Sequence, residues 1–141
     1  MTVPEDRVLH ILLIEDDDVD VMNVQRSFDK NKILNPLYVA ASALEALAML
    51  RDGRVPKTRR MVLLDLNLPG MSGLEFLREL RGDPELRAIP VVVLTTSNDE
   101  KDRIDAYGLN VAGYLLKPVT FPRFVELTAA LNKYWTLVEL P

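Results

Sequence analysis

The sequence predicts an α/β fold in which helices cover both faces of a five-stranded parallel sheet. Short runs of Val, Leu and Ile alternate with longer segments in which apolar residues recur at the helical spacing. The short runs are apolar at nearly every position, which is typical of parallel strands buried on both faces. Because strands and helices alternate and crossovers are right-handed, we expect a (βα)5 doubly wound sheet.

Five short apolar segments are the candidate strands. They are residues 8–14, 36–41, 61–65, 90–95 and 112–116. The second segment is the weakest candidate, and the single histidine, His10, falls in the first. We expect the flavodoxin-like strand order 2-1-3-4-5, with a site at the carboxyl ends of the strands.

The first two helix candidates have recognisable caps. One spans about 18–30, with Asp17 or Asp18 in the capping position. The next begins with a capping box made by Ser42 and Glu45, and it ends at Gly53.

Three further helix candidates follow the third, fourth and fifth strands. Residues 72–84 place leucines on one stripe. Residues 97–108 offer Ser97 or Asn98 as the cap and Gly108 as the end. The last helix begins near Pro122, where proline is tolerated, and its apolar stripe reaches Trp135.

Length and composition favour one domain and exclude several function classes. The 141 residues predict a single domain over 1–141, with a core at about 8–135 and an apolar tail at 136–141. The net charge of −4 argues against a nucleic-acid partner. No run approaches the ~20 apolar residues of a membrane span, and the first residues do not resemble a signal peptide. The chain has no cysteine, which agrees with a cytoplasmic location.

Polar residues stand at the ends of four of the candidate strands. The first strand ends in EDDD, the third in Asp65, the fourth in TTSN and the fifth in KPVT. In the expected strand order these ends are neighbours. Glu15, Asp16, Asp65, Thr95 and Lys117 should therefore converge on one pocket.

The chemistry of these residues points to phosphoryl transfer. Three crowded carboxylates repel one another unless a cation compensates, and Mg²⁺ prefers such oxygen ligands. Lys117 supplies a charge suited to a phosphate oxygen, and Thr95 supplies a hydroxyl donor. Phosphoryl transfer relies mainly on positioning and charge neutralisation. Asp65 would be the nucleophile, forming an aspartyl phosphate.

Most of these residues also have an ordinary structural explanation. Glu15 and Asp16 could cap the next helix as readily as bind a metal, and a lysine before proline is usually an exposed residue. Asp65 has no obvious structural use at the end of an apolar strand. The joint occurrence of these residues at four strand ends favours the functional explanation.

The motifs IED, DLNLPGMSG, VLTTS and YLLKP, in this order, resemble those of response-regulator receiver domains. The resemblance covers nearly the whole chain. It implies that Asp65 accepts a phosphoryl group from a histidine kinase. It also implies that Mg²⁺ is bound by Asp16, by Asp65, by Glu15 directly or through a water, and by the backbone carbonyl of Asn67.

The same resemblance implies how the domain switches. Thr95 would move to bond the phosphoryl oxygen and Lys117 would pair with it. The family also suggests a cis Lys117–Pro118 bond, and Tyr114 stands where the family's switch aromatic swings inward. From the residues alone, Tyr114 is as readily a strand tyrosine with a packed ring and a hydrated hydroxyl.

The last segment, FPRFVELTAALNKYWTLVELP, resembles the end of regulators partnered with bacterial phytochromes. This similarity implies a phytochrome histidine kinase as partner and a homodimer. We expect no membrane partner, because the chain has no apolar run long enough to span a membrane. The apolar tail is either an interface or a lid that folds back over the domain.

Three other functions are compatible with parts of the pattern. A flavin or nucleotide binder would need a phosphate-cradling loop after the first strand, where this chain has EDDDVD. A hydrolase with an aspartate nucleophile would need a second acid soon after Asp65. A non-phosphorylated pseudo-receiver acting as an interaction module usually lacks the acids or the lysine that this chain retains. We therefore expect a signalling switch and not a metabolic enzyme.

Overall fold

The computed structural model describes residues 8–141, in which five strands alternate with five helices. The elements are β1 (His10–Ile14), α1 (Asp18–Lys30), β2 (Leu37–Ala40), α2 (Ala43–Asp52), β3 (Arg60–Leu64), α3 (Gly73–Gly82), β4 (Val91–Thr95), α4 (Glu100–Gly108), β5 (Gly113–Leu116) and α5 (Phe121–Leu137). The predicted (βα)5 arrangement is confirmed, including the weak second strand.

All strands are parallel, and their order in the sheet is β2-β1-β3-β4-β5, as predicted. The register pairs Ile14 of β1 with Leu64 of β3, and Leu64 with Val93 of β4. The carboxyl ends of the central strands therefore lie side by side, and the residues that follow them share one edge of the sheet.

The sheet separates two apolar cores, which explains why its strands are apolar at successive positions. Leu12 and Ile14 face the core on the side of α2, α3 and α4. Ile11 and Leu13 face the core that α1 and α5 cover. Because strand side chains alternate between faces, both sets of positions must be apolar here.

Most helix starts agree with the sequence, but the predicted cap of α4 is wrong. Asp17 caps α1 and Ser42 caps α2 through side-chain oxygens. The cap of α4 is Asp99, which accepts from the backbone N–H of Lys101, and not Ser97 or Asn98. Three successive polar residues can all serve as caps, so local preference does not choose among them.

The expected cis bond before Pro118 is also wrong. The described residues contain no cis peptide bond, so Lys117–Pro118 is trans. The trans isomer of an X–Pro bond is lower in free energy by about 0.5–1 kcal/mol. In this trans geometry the side chain of Lys117 still reaches the acids at the strand ends.

The last residues fold back along the domain. Leu140 packs against the core beneath α1 and α5, and its carbonyl oxygen accepts from Arg59 at 3.3 Å. Trp135, on the last turns of α5, is buried beside Phe28 of α1. Leu140 therefore lies as the lid arrangement predicts, whereas Leu137 of the same tail is 75% exposed. Within residues 8–141, no helix is long and apolar enough to cross a membrane.

Candidate functional site

Three carboxylates meet at the carboxyl edge of the sheet. Glu15 follows β1 directly and Asp65 follows β3 directly, and both are buried, whereas Asp16 is exposed. One oxygen from each lies within 4.8 Å of the others. Parallel pairing of β1 with β3 brings the acids together, as the sequence predicted.

Asp65 is held by donors on both of its oxygens. Its Oδ1 accepts from the Thr95 hydroxyl at 2.8 Å and from the backbone N–H of Asn67 at 3.1 Å. Its Oδ2 accepts from the Lys117 ammonium at 2.9 Å. These bonds explain how a carboxylate that is only 4% exposed is tolerated at the end of an apolar strand.

The ammonium of Lys117 lies among three acids. Its Nζ is 2.7 Å from Glu15, 2.9 Å from Asp20 and 2.9 Å from Asp65. The backbone N–H of Lys117 donates to the Thr95 carbonyl and so fixes the start of the loop. Burial alone would lower the pKa of Lys117. The three hydrogen bonds raise the pKa by more than burial lowers it, so the pKa lies above its ordinary value. Lys117 is therefore a permanent cation in this site.

Glu15 is buried beside Lys117, and burial changes its pKa. Burial raises the pKa of Glu15 to about 7, against the lowering effect of its hydrogen bond from Lys117. Burial thus works against the charged form of this carboxyl. A second cation near Glu15 would favour the ionised form.

The site fits a hard divalent cation on its own chemistry. Glu15, Asp16, Asp20 and Asp65 are balanced in the described contacts by the single ammonium of Lys117. All of the donors are carboxylate oxygens, which is the ligand type that Mg²⁺ prefers.

Tyr114 is turned inward and connects β5 to the loop after β4. Its ring packs against the core beneath α2, α3 and α4, and its hydroxyl donates to the Ser97 carbonyl at 2.8 Å. The Ser97 hydroxyl donates in turn to Asp102 of α4 at 2.7 Å. The backbone N–H of Ser97 also donates to the Thr95 hydroxyl at 3.3 Å, so hydrogen bonds connect Thr95 through Ser97 to Asp102 of α4.

Sequence reasoning identified Glu15, Asp16, Asp65, Thr95 and Lys117, and the structure brings all five to one edge of the sheet.

Asp20 was missed, although it contacts Lys117 as closely as Asp65 does. Its signal in the sequence is weak. Asp20 is the last of several acids in EDDDVD, and only its place in the first turn of α1, next to the site, sets it apart from the others.

Comparison with known proteins gives a consistent family. The sequence profile of the response regulator receiver domain matches residues 11–129. Over 127 residues the chain is 38% identical to the probable methanogenesis regulatory protein FilR2 of Methanothrix harundinacea, covering 89% of this chain and 82% of FilR2. Over 135 residues it is also 38% identical to the response regulator Rcp1 of Synechocystis sp., covering 93% of this chain and 92% of Rcp1.

Solved structures of similar proteins share the fold. The phosphorylated cyanobacterial phytochrome response regulator RcpA superposes with a TM-score of 0.85 at 31% identity, covering 94% of this chain and 98% of RcpA. The Mn²⁺-bound form of Rcp1 gives a TM-score of 0.82 at 37% identity, covering 94% of this chain and 99% of Rcp1. With the matched profile and the shared strand order, these findings show that the chain belongs to the response regulator receiver domain family.

Proposed function

We propose that this protein is a phosphorylation switch in which Asp65 accepts a phosphoryl group from a histidine kinase. Receiver domains act as signalling switches, and the observation that carries the proposal is the surroundings of Asp65. A buried carboxylate meets a hydroxyl donor from Thr95 on one oxygen and the ammonium of Lys117 on the other. The pseudo-receiver alternative explains neither contact.

The proposed reaction is a displacement at phosphorus. An oxygen of the Asp65 carboxylate forms a bond to the phosphorus, and the bond from phosphorus to the donor atom breaks. The electron pair of that broken bond leaves with the donor, an imidazole nitrogen of the kinase or the acetate oxygen of acetyl phosphate. Little proton transfer is required, so positioning and charge neutralisation determine the rate.

Mg²⁺ would be held by Asp16, Asp65, Glu15 and the backbone carbonyl of Asn67. When bound, it supplies charge neutralisation for the phosphoryl oxygens. The chain's own residues orient the acceptor. The backbone N–H of Asn67 and the Thr95 hydroxyl both donate to Oδ1 of Asp65, and these two bonds fix the orientation of the carboxylate.

The switch would then pass from Thr95 to α4. Once Asp65 is phosphorylated, Thr95 turns its hydroxyl toward a phosphoryl oxygen and Lys117 bonds another. The loop that begins at Thr95 carries Ser97, to which Tyr114 is bonded. Displacement of this loop would change the surface of α4 and β5 that partners contact.

The partner kinase we propose is a phytochrome kinase in the cytoplasm. This rests on the likeness to Rcp1 and to RcpA, which is described as a phytochrome response regulator. Phosphotransfer from a labelled bacterial phytochrome kinase tests it. Transfer within seconds is expected, and transfer no faster than from an unrelated sensor kinase would refute this partner.

We also propose a homodimer. Exposed apolar side chains lie along β5 and the loop to α5, with Leu116 48% and Val119 98% exposed. They border a groove of about 770 Å³ lined in part by α5. Light scattering after size exclusion is expected to give twice the chain mass, and Val119→Asp is expected to reduce it to one chain.

Intact mass after incubation with acetyl phosphate tests the phosphorylation itself. The expected result is a gain of one phosphoryl group by the native chain, dependent on Mg²⁺ and lost in Asp65→Asn. Asp18→Asn is the matched control, because Asp18 is an exposed acid at the start of α1. No gain under any condition, while a known receiver is labelled in parallel, overturns the proposal in favour of the interaction module.

A further inference from the structure

The ammonium of Lys117 has three hydrogens, and each has a carboxylate within reach. Glu15, Asp20 and Asp65 lie 2.7, 2.9 and 2.9 Å from its Nζ. Lys117 is 7% exposed and Asp20 is 24% exposed at the side chain. The lysine is therefore saturated, and any new bond to a phosphoryl oxygen must replace one of these contacts.

Two of the three acids that contact Lys117 also take part directly in the proposed reaction. Asp65 is the acceptor, and after phosphorylation its carboxylate becomes part of an acyl phosphate. Glu15 belongs to the acid cluster with Asp16 and Asp65. Asp20 lies outside that cluster in the described residues, so Lys117 is the one partner that the structure gives to its carboxylate.

The backbone fixes where Asp20 stands. The Asp17 side chain accepts from the N–H groups of Val19 and Asp20 and so caps α1. The N–H of Asp17 donates to Glu15, at 3.0 Å. The first turn of α1 is thus tied to the end of β1, and the Asp20 carboxylate on that turn lies 2.9 Å from the Lys117 ammonium.

We propose that Asp20 is a positioning residue, which holds the Lys117 ammonium at the site while the other contacts are exchanged for a phosphoryl oxygen. The inference deepens the proposed function and rests on it. A lysine side chain has four rotatable methylene bonds, and one fixed carboxylate limits how far its ammonium can move. Without Asp20, Lys117 would have to be ordered during each transfer.

The test compares three variants by two readouts. Asp20→Asn removes the charge, Asp20→Glu restores it one methylene further out, and Asp18→Asn removes an exposed charge from the same helical turn. The first readout is the rate of phosphorylation by acetyl phosphate with Mg²⁺, followed by intact mass. The second is the ¹⁵N resonance of the Lys117 ammonium, assigned by its loss in Lys117→Arg and recorded without any phosphoryl donor. Circular dichroism confirms that each variant is folded.

In Asp20→Asn we expect the rate to fall roughly tenfold and the ammonium resonance to be lost to exchange. Asp20→Glu should recover the rate to within about threefold, and Asp18→Asn should match the native chain in both readouts. A native or faster rate in Asp20→Asn would overturn the inference, since removing a negative charge would then merely ease approach of the phosphate. If the native chain is not phosphorylated at all, the proposed function fails first and the inference fails with it.

Discussion

Lys117 contacts Glu15, Asp20 and Asp65, so its removal would leave three neighbouring acids without their shared cation. We predict that Lys117→Met lowers the free energy of unfolding by about 3 kcal/mol in a chelating buffer, because removing one partner of a buried ion pair leaves the other charge buried without compensation. Urea unfolding measures the change. Lys101→Met is the control, since Lys101 is 85% exposed and pairs only with Asp105 in the described residues.

The stability that Lys117→Met loses should be smaller at low pH than at high pH. The pKa of Glu15 is already raised to about 7, chiefly by burial, and loss of Lys117 raises it further. Protonation of Glu15 removes one of the repelling charges, so Lys117→Met should lose less stability at about pH 6 than at about pH 8. A loss that is equal at both values, or no larger than that of Lys101→Met, would contradict this account.

Protonation of His10, at the opposite end of β1 from Glu15, gives the unfolding free energy a second dependence on pH. His10 begins β1, with its Nδ1 3.2 Å from the Tyr38 hydroxyl, and burial lowers its pKa below the ordinary value of 6.5. The folded chain therefore binds this proton more weakly than the unfolded chain. The stability that the neutral ring contributes is complete above pH 6.5 and falls as the pH drops below it.

We predict that His10→Gln flattens the fall in unfolding free energy between about pH 7.5 and pH 5.5. Urea titrations of both chains measure the difference. The chain contains one histidine, so its imidazole protons can be followed by NMR without ambiguity. A measured pKa at or above 6.5 would refute the explanation.

At the scale of elements, Gly73 shows how a helix start is fitted to the site. A Cβ built there would lie 2.5 Å from Leu66 Cα and 2.6 Å from the Asp65 carbonyl oxygen, so a side chain would displace the backbone beside the acceptor. At Gly82, the last residue of α3, nothing lies within 4 Å of such a Cβ. A side chain therefore has no room at Gly73 but has open space at Gly82 of the same helix.

We predict that Gly73→Ala destabilises the domain by about 1–3 kcal/mol and slows phosphorylation of Asp65. Gly82→Ala should be neutral or stabilising by up to about 1 kcal/mol, because it reduces the entropy of the unfolded chain. Thermal unfolding and intact-mass labelling of both variants check this. Equal effects at the two positions would show that the close approach at Gly73 does not matter.

The elements themselves could be predicted because their signals are local. Strands apolar on both faces and helices with polar caps need no knowledge of the rest of the chain, and the predicted order was confirmed. The cap of α4 could not be chosen, because Ser97, Asn98 and Asp99 are all capping residues. The structure selects Asp99 and uses the Ser97 hydroxyl to bond Asp102.

For the whole molecule, topology explains which site residues were predictable. Residues that follow strands are placed by strand order alone, and this brought Asp65, Thr95 and Lys117 together as expected. Asp20 lies on a helix, and its direction depends on how α1 is rotated against the sheet. That rotation follows from packing of residues such as Val24 and Phe28 in the core, which a single sequence does not specify.

The packing of the helices also predicts that stability is uneven across the domain. Four residues of α3 are buried, namely Gly73, Phe76, Leu77 and Leu80, whereas Ala106 is the buried residue of α4. In α4, Ile104 is 61% and Tyr107 50% exposed. A helix that buries little apolar surface opens at low free-energy cost. It is also the helix that the Tyr114 and Ser97 contacts would influence.

We therefore predict that amides of α4 exchange with deuterium at least about tenfold faster than those of α3. Hydrogen exchange with mass spectrometry measures this, with α5 as a second reference because it buries Phe124, Thr128, Leu131 and Trp135. Phosphorylation should change exchange most at residues 96–108 and least in α5, because the displaced Thr95 loop leads directly into α4. If α3 and α4 exchange at similar rates, the domain opens as one unit and the prediction of a weakly held α4 is wrong.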